Sequence, residues 1–360
     1  MKTEEIDARI AGILPLDEAS MEAARQRLDR LTKPPGSLGK LEEIAVQLAG
    51  IASETILDLG SKAVIVMAGD HGVCAEGVSA FPAEVTPQMV LNFLNGGAAV
   101  NVLARQAGAE VVCVDIGVNA DLDHPGLYAR KVRRGTGNIA REAAMTREEA
   151  VQAIRTGIRL VDELAEQGCG IFATGEMGIG NTTPSAALFS AFTGRDPGEI
   201  VGLGTGIDEA GLRRKVDAVR RALAVNAPDA ADPLDVLSKL GGLEIAGLAG
   251  VILGAAVRRR PVVIDGFISS AAALAAVRIA PAAGAYLIAS HLSQEQGHAL
   301  LLQELGLKPL IHLDMRLGEG TGAALCLPII EASLQIMSGM ATFESAGVST
   351  SHQAGREARA

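Results

Sequence analysis

The sequence predicts an α/β fold, a Rossmann-like parallel sheet with helices on both faces. Three observations carry this. Short apolar runs of strand length alternate with longer stretches of helical periodicity, the pattern of parallel strands buried on both sides. Apolar residues make up 48 % of the 360 residues, yet aromatics are only 2 % and Trp is absent, so Ala, Gly, Val, Leu and Ile must fill the core. Glycine, with 42 residues, is abundant enough for many backbone-lined turns between packed layers.

The elements follow in order. "LDEASMEAARQRLDRL" has helical periodicity with Asp17 or Ser20 as N-cap. "TKPPGSLGK" (32–40) must be irregular, because Pro34-Pro35-Gly36 cannot continue a helix, and "KLEEIAVQLAGIA" resumes one. Strands are expected at 62–69, 109–117, 169–175, 261–267 and 308–315. Helical stretches stand between most of them, such as 86–108 and 146–168. Two apolar stretches, 243–257 and 271–290, read as buried helices. The first is too short for a membrane span, and the second carries Arg278 and Pro281 in its middle. The tail "STSHQAGREARA" reads as frayed.

Composition narrows the function. A net charge of −10, with no basic stripe interleaved with aromatics, argues against nucleic acid, which is gripped through Lys and Arg at phosphates. Cys74, Cys113, Cys169 and Cys326 stand far apart, so neither a disulfide framework nor a zinc ribbon is expected, and a reducing cytoplasm fits. The acidic N-terminus lacks the pattern of a secretory signal. His291 and His298, seven residues apart, suit metal binding poorly, since helical zinc pairs are spaced i, i+4.

The strand ends are more informative. They carry Asp70-His71-Gly72, Asp115-Ile116-Gly117, Gly175-Glu176-Met177-Gly178, Asp265-Gly266 and Arg316-Leu317-Gly318-Glu319-Gly320. Ligands of open α/β sheets bind beyond the carboxyl ends of the strands. "TGEMGIGNTTPSAAL" (174–188) is the best anion cradle. Gly175, Gly178 and Gly180 allow close backbone approach, while Asn181, Thr182 and Thr183 can cap the next helix. A second cradle holds Gly204, Thr205 and Gly206, with Lys215 about two turns after Asp208; "GTGNIA" (135–140) and "GEGTG" (318–322) are further turns of this kind. None is a Walker A loop or Gly-x-Gly-x-x-Gly, which argues against a kinase or a dinucleotide-dependent oxidoreductase. Together they suggest a ribose-phosphate ligand held by backbone and hydroxyl groups. Glu319 and Glu176 are the candidate acids. A carboxylate desolvated by an apolar ligand becomes a better general base, although Glu319 can equally serve as a charge at a helix N-terminus.

The ordered motifs "KPPGSLGKLE", "MAGDHGV", "VTPQMVLNFLNGGAAVNVLAR", "GEMGIGNTTPSAAL", "GTGID…K", "DGFISSAAAL" and "MRLGEGTGAAL" resemble the nicotinate-nucleotide–dimethylbenzimidazole phosphoribosyltransferases, over roughly residues 15 to 345. The resemblance implies transfer of a phosphoribosyl group from nicotinate mononucleotide to 5,6-dimethylbenzimidazole, by direct displacement with inversion and without a metal or redox cofactor. It implies that Glu319 is the general base, and that the "GEMGIGNTT" loop (175–183) and Lys215 serve the phosphate and ribose. Ser79, Phe81 and Gln88 would line the benzimidazole pocket with Met315 and Leu317 opposite, and Asn138 would contact the nucleotide. It further implies a homodimer, and a small helical domain from both chain ends (1–29 and 331–360) beside a catalytic domain over 30–330. The chain departs from the family pattern at Arg141-Glu142-Ala143, beside Asn138.

Overall fold

A computed structural model describes residues 8–349 except Thr205. The expected frayed tail lies outside the described residues from position 350 on, as does Thr205 of the second cradle.

Six parallel strands form one sheet in the order β3-β2-β1-β4-β5-β6. They are β1 Ser61–Gly69, β2 Glu110–Gly117, β3 Tyr128–Ala129, β4 Cys169–Met177, β5 Val262–Ile264 and β6 Leu287–Ala289. The order reverses between β1 and β4, the switch point at which such sheets open a crevice at their carboxyl ends. β4 is buried along its whole length.

Two sequence expectations fail here. Residues 308–315 form no strand and make only a single bridge, Ile311 to His291; Leu313 is exposed and Asp314 adopts φ +54°, which breaks an extended run. The sixth strand lies instead inside 271–290, where one buried helix is expected from the apolar composition. That helix ends at Ile279 because Pro281 cannot continue it, a 3-10 turn follows at Pro281–Tyr286, and Leu287–Ala289 then pairs with β5. The stretch 86–108 is two helices, Val85–Leu94 and Ala99–Gln106, broken at Asn95-Gly96-Gly97.

Most helices follow their local signals. Asp17 caps helix Glu18–Arg30 by accepting from the Ser20 N–H at 2.7 Å. Thr146 and Glu149 form a reciprocal capping box at the start of helix Arg147–Glu166. The apolar helix Leu243–Val257 is buried almost throughout and lies against Arg147–Glu166. Their backbones nearly touch, since a Cβ on Gly250 would stand 2.0 Å from the Ile154 carbonyl oxygen.

Two compact units emerge, residues 8–14 with 59–326 and residues 15–58 with 327–349. The division differs from the expected boundary at 29/30. Helix Lys40–Ala52 packs with Glu18–Arg30 through Ala24, Leu28, Leu31, Ala45, Ala49 and Met337, so that apolar cluster keeps 30–58 in the smaller unit. Among the described residues one helix, Thr321–Gly339, is long and apolar enough to cross a membrane by length and composition, and half of its most apolar window is buried inside the protein.

Candidate active site

At the carboxyl ends of β1, β4 and β5 lies a cavity of about 400 Å³ within the larger unit. Its base is β4's last turn, Glu176-Met177-Gly178, continuing through Ile179-Gly180-Asn181 into helix Thr182–Thr193. Ser79, Phe81, Val85 and Met89 form one wall and Leu317-Gly318-Glu319 another. Phe81 and Leu317 are large apolar side chains, each more than half exposed, and both border this cavity. An exposed apolar pair at the rim of a cleft marks a place for a flat apolar ligand.

Glu319 and Glu176 meet in this cavity. The Glu319 backbone N–H donates to Glu176 Oε1 at 3.4 Å, and the Asn181 side-chain amide donates to Glu176 Oε2. Asn181 thus serves the acid and makes no side-chain cap on its helix, contrary to its expected capping role. Glu319 Oε2 is buried and has no hydrogen-bond partner. Burial pushes the Glu319 carboxyl up to about 7, with the Val100 N–H pulling it back and Asp265 adding to the rise. Burial pushes Glu176 further, to about 8, despite the Asn181 amide; the Asp265 and Glu244 carboxylates add to the rise. Gly175 is in β4 for contact between main chains. A Cβ there would stand 2.3 Å from the Glu319 carbonyl oxygen, so its role is to let the Glu319 turn lie on the strand and not to cradle phosphate.

The start of helix Thr182–Thr193 borders the same cavity through Asn181 and Thr182. Lys215 is buried behind it and donates to Thr182 Oγ1 at 2.7 Å and to the Gly202 carbonyl at 3.2 Å. Burial lowers its ammonium to about 8, and Glu295 opposes that fall. Lys215 therefore does not line the cavity but places its charge one hydroxyl away. Gly204 lines the cavity, whereas Gly206 borders a neighbouring groove with Gln294, Gln296 and Asp314.

Three expected contacts are not brought to the wall. Asn138 donates to Glu76 Oε1 at 2.7 Å, held there with Arg141 and Arg221 on the same carboxylate. The departing residue Arg141 thus belongs to a separate ion network. Gln88 is exposed on helix Val85–Leu94, one residue before Met89, which does line the cavity. Met315 is half-buried and its carbonyl accepts from the Gln294 N–H at 2.9 Å.

Sequence reading assigns no role to Arg316, Ser293, Glu295 or Asp265. Arg316 is the only Lys or Arg on the cavity wall among the described residues; its guanidinium donates to the Gly204 carbonyl at 3.2 Å. Its one signal is position, three residues before Glu319. His298 and His291 serve packing. The Ser293 N–H donates to His298 Nδ1 at 2.9 Å, which leaves Nε2 to donate to Ser270 Oγ at 3.0 Å. Among the described residues, no three His, Cys, Asp or Glu side chains are grouped to hold a metal ion.

Comparison with known proteins points to one family. The family model described as "Phosphoribosyltransferase" matches residues 13–348. The nicotinate-nucleotide–dimethylbenzimidazole phosphoribosyltransferase of Chloroflexus aggregans is 58% identical over 341 residues, 94% of this chain and 97% of that protein. The protein of the same name from Desulforamulus reducens is 58% identical over 335 residues, 92% and 95% of the two chains. A crystal structure of the Thermus thermophilus protein of that name superposes with a TM-score of 0.88 at 49% identity, covering 93% of this chain and all of that one.

Proposed function

The chain belongs to the nicotinate-nucleotide–dimethylbenzimidazole phosphoribosyltransferase family and is a phosphoribosyltransferase, and from that premise we propose the substrates and the chemistry of its cavity. The donor is nicotinate mononucleotide, the acceptor 5,6-dimethylbenzimidazole, and the products α-ribazole 5′-phosphate and nicotinate.

One observation carries the reading: a buried, unpartnered carboxylate oxygen of Glu319 in an apolar-rimmed cavity whose far side is a helix start backed by a lysine. The donor's phosphate lies at the start of helix Thr182–Thr193, where backbone N–H groups and the Thr182 hydroxyl meet it and Lys215 supplies charge from behind. The benzimidazole lies between Phe81 and Leu317. One ring nitrogen attacks the anomeric carbon as the bond to the pyridinium nitrogen breaks, and that electron pair leaves with nicotinate. The proton on the second ring nitrogen passes to Glu319. A single displacement inverts the anomeric configuration.

Glu319 at about 7 is ionised over a useful fraction of neutral solution, and a base poised near the operating pH is the effective one. Glu176, at about 8, keeps its proton there and serves the reaction by holding the Glu319 main chain. Selection of the base rests on burial of a flat apolar ring, so benzimidazoles differing by one methyl group should be separated by only ~10-fold. The family reading also carries a homodimer working in the cytoplasm; a light-scattering mass of a single chain would oppose the dimer.

The test is a chromatographic assay of nicotinate. Release that depends on added dimethylbenzimidazole, matched mole for mole by α-ribazole 5′-phosphate, is expected. Binding of nicotinate mononucleotide with no release on adding the base would oppose transfer.

A further inference from the structure

Glu319 stands in a conformation that its own chemistry does not favour. Its φ of +64° is left-handed, a region that costs a non-glycine residue roughly 1 kcal/mol or more, and the turn must be held from outside. The holding group is Asp265, just beyond β5 and buried to 1 % exposure. Its Oδ2 accepts the Gly320 N–H at 3.1 Å and its Oδ1 accepts the Ala323 N–H at 3.0 Å. Asp265 is itself fixed: its N–H donates to Thr174 Oγ1 at 3.3 Å, and its carbonyl accepts the Ser290 hydroxyl at 3.3 Å. The His291 ring stands 3.8 Å from the carboxylate.

We propose that Asp265 is the positioning residue of the catalytic base, clamping the start of helix Thr321–Gly339 so that the Glu319 carboxylate faces the acceptor ring. The inference rests on the assignment of Glu319 as the base. Two carboxylates thus grip one turn, Glu176 on the Glu319 N–H and Asp265 on the N–H groups of Gly320 and Ala323. The charge of Asp265 has a second consequence, because it opposes ionisation of Glu319. The titratable groups around this turn are Glu176 from β4, Asp265 from β5 and His291 beyond β6. Glu244, paired with His71 at 2.8 Å, also raises Glu176.

The two effects separate by substitution. Asp265→Asn removes the charge and sets an amide N–H against one of the two donors. Asp265→Glu keeps the charge but changes the reach. We expect kcat to fall ~10- to 100-fold in both, with KM for nicotinate mononucleotide within about twofold, because misplacement of a base by about an ångström costs turnover and not donor binding. The acidic limb of the kcat–pH profile should move down by roughly half a pH unit or more in Asp265→Asn and stay in place in Asp265→Glu. The same movement in a Glu176→Gln background assigns it to Glu319. Should Asp265→Asn not fold, the kcat and KM of Asp265→Glu carry the test. With Glu319→Gln inactive, a wild-type kcat or an unmoved limb in Asp265→Asn, or a loss in KM alone in either variant, would overturn this inference by itself. Full turnover by Glu319→Gln would overturn the base assignment and this inference with it.

Discussion

Glu319 and Glu176 share one cavity, yet burial pushes one to about 7 and the other to about 8. Both are raised by burial, and the proposed roles rest on geometry: Glu319 has an unpartnered carboxylate oxygen, whereas Glu176 is held by the Asn181 amide and the Glu319 N–H. If Glu319 is the base, as proposed, turnover requires its ionised form, so kcat should rise with pH and level off above about 7, and measurement across roughly pH 5.5–8.5 checks this. A flat profile through that window would contradict it. Lys215 donates to Thr182 Oγ1, and in the proposed mechanism it acts on the phosphate through that hydroxyl, so Lys215→Met should raise KM for nicotinate mononucleotide ~10- to 100-fold, the scale of a lost charge-assisted hydrogen bond, with a smaller effect on kcat. Steady-state kinetics in the donor separates the two constants. Glu319 and Glu176 were legible as candidates because an acid between a glycine and a small or flexible residue is a local pattern, at the end of β4 for Glu176 and before helix Thr321–Gly339 for Glu319. Asp265 had no legible role, because its partner Gly320 is 55 residues away and the bond is to a main chain that any residue carries.

The elements differ in the same way. Helices Glu18–Arg30, Lys40–Ala52 and Arg147–Glu166 were readable from periodicity, and the first also from its cap Asp17, signals that lie within a few residues of the element. The three-residue strand Leu287–Ala289 was not, because so short a run is fixed by its pairing with β5 and not by its own composition. Residues 308–315 had the composition of a strand, but along 289–294 they complete only one bridge. Close contact between elements is also hidden from the sequence. The meeting of Leu243–Val257 with Arg147–Glu166 leaves no room at Gly250, so Gly250→Val should destabilise the fold by about 3 kcal/mol or more. Thermal unfolding of that variant reads the cost, and an unchanged midpoint would contradict the packing.

On the scale of the whole molecule, the site is a set of buried acids that the fold holds against their ionisation. Glu176 is raised in the folded protein from 4.5 to about 8. The folded state therefore binds its proton more tightly than the unfolded chain. That contribution to stability is complete below about 4.5 and is lost as pH rises through about 8. Glu176→Gln, which stays neutral, should gain on the wild type across this window by on the order of 3 kcal/mol. Urea unfolding at about pH 5 and about pH 9 measures the change, and an equal difference at both values would contradict it. The parallel sheet with a cavity at its carboxyl edge was legible because the ends of β1, β2, β4 and β5 carry acids beside glycines. The 15–58 boundary was not, since an apolar helix gives no sign of which core it joins. The central claim is that one carboxylate takes the proton of the acceptor. Its most direct test is the turnover of Glu319→Gln with both substrates present. A folded variant that binds nicotinate mononucleotide like the wild type and turns over at least ~100-fold more slowly is the predicted result. Wild-type release of nicotinate by that variant would contradict the account.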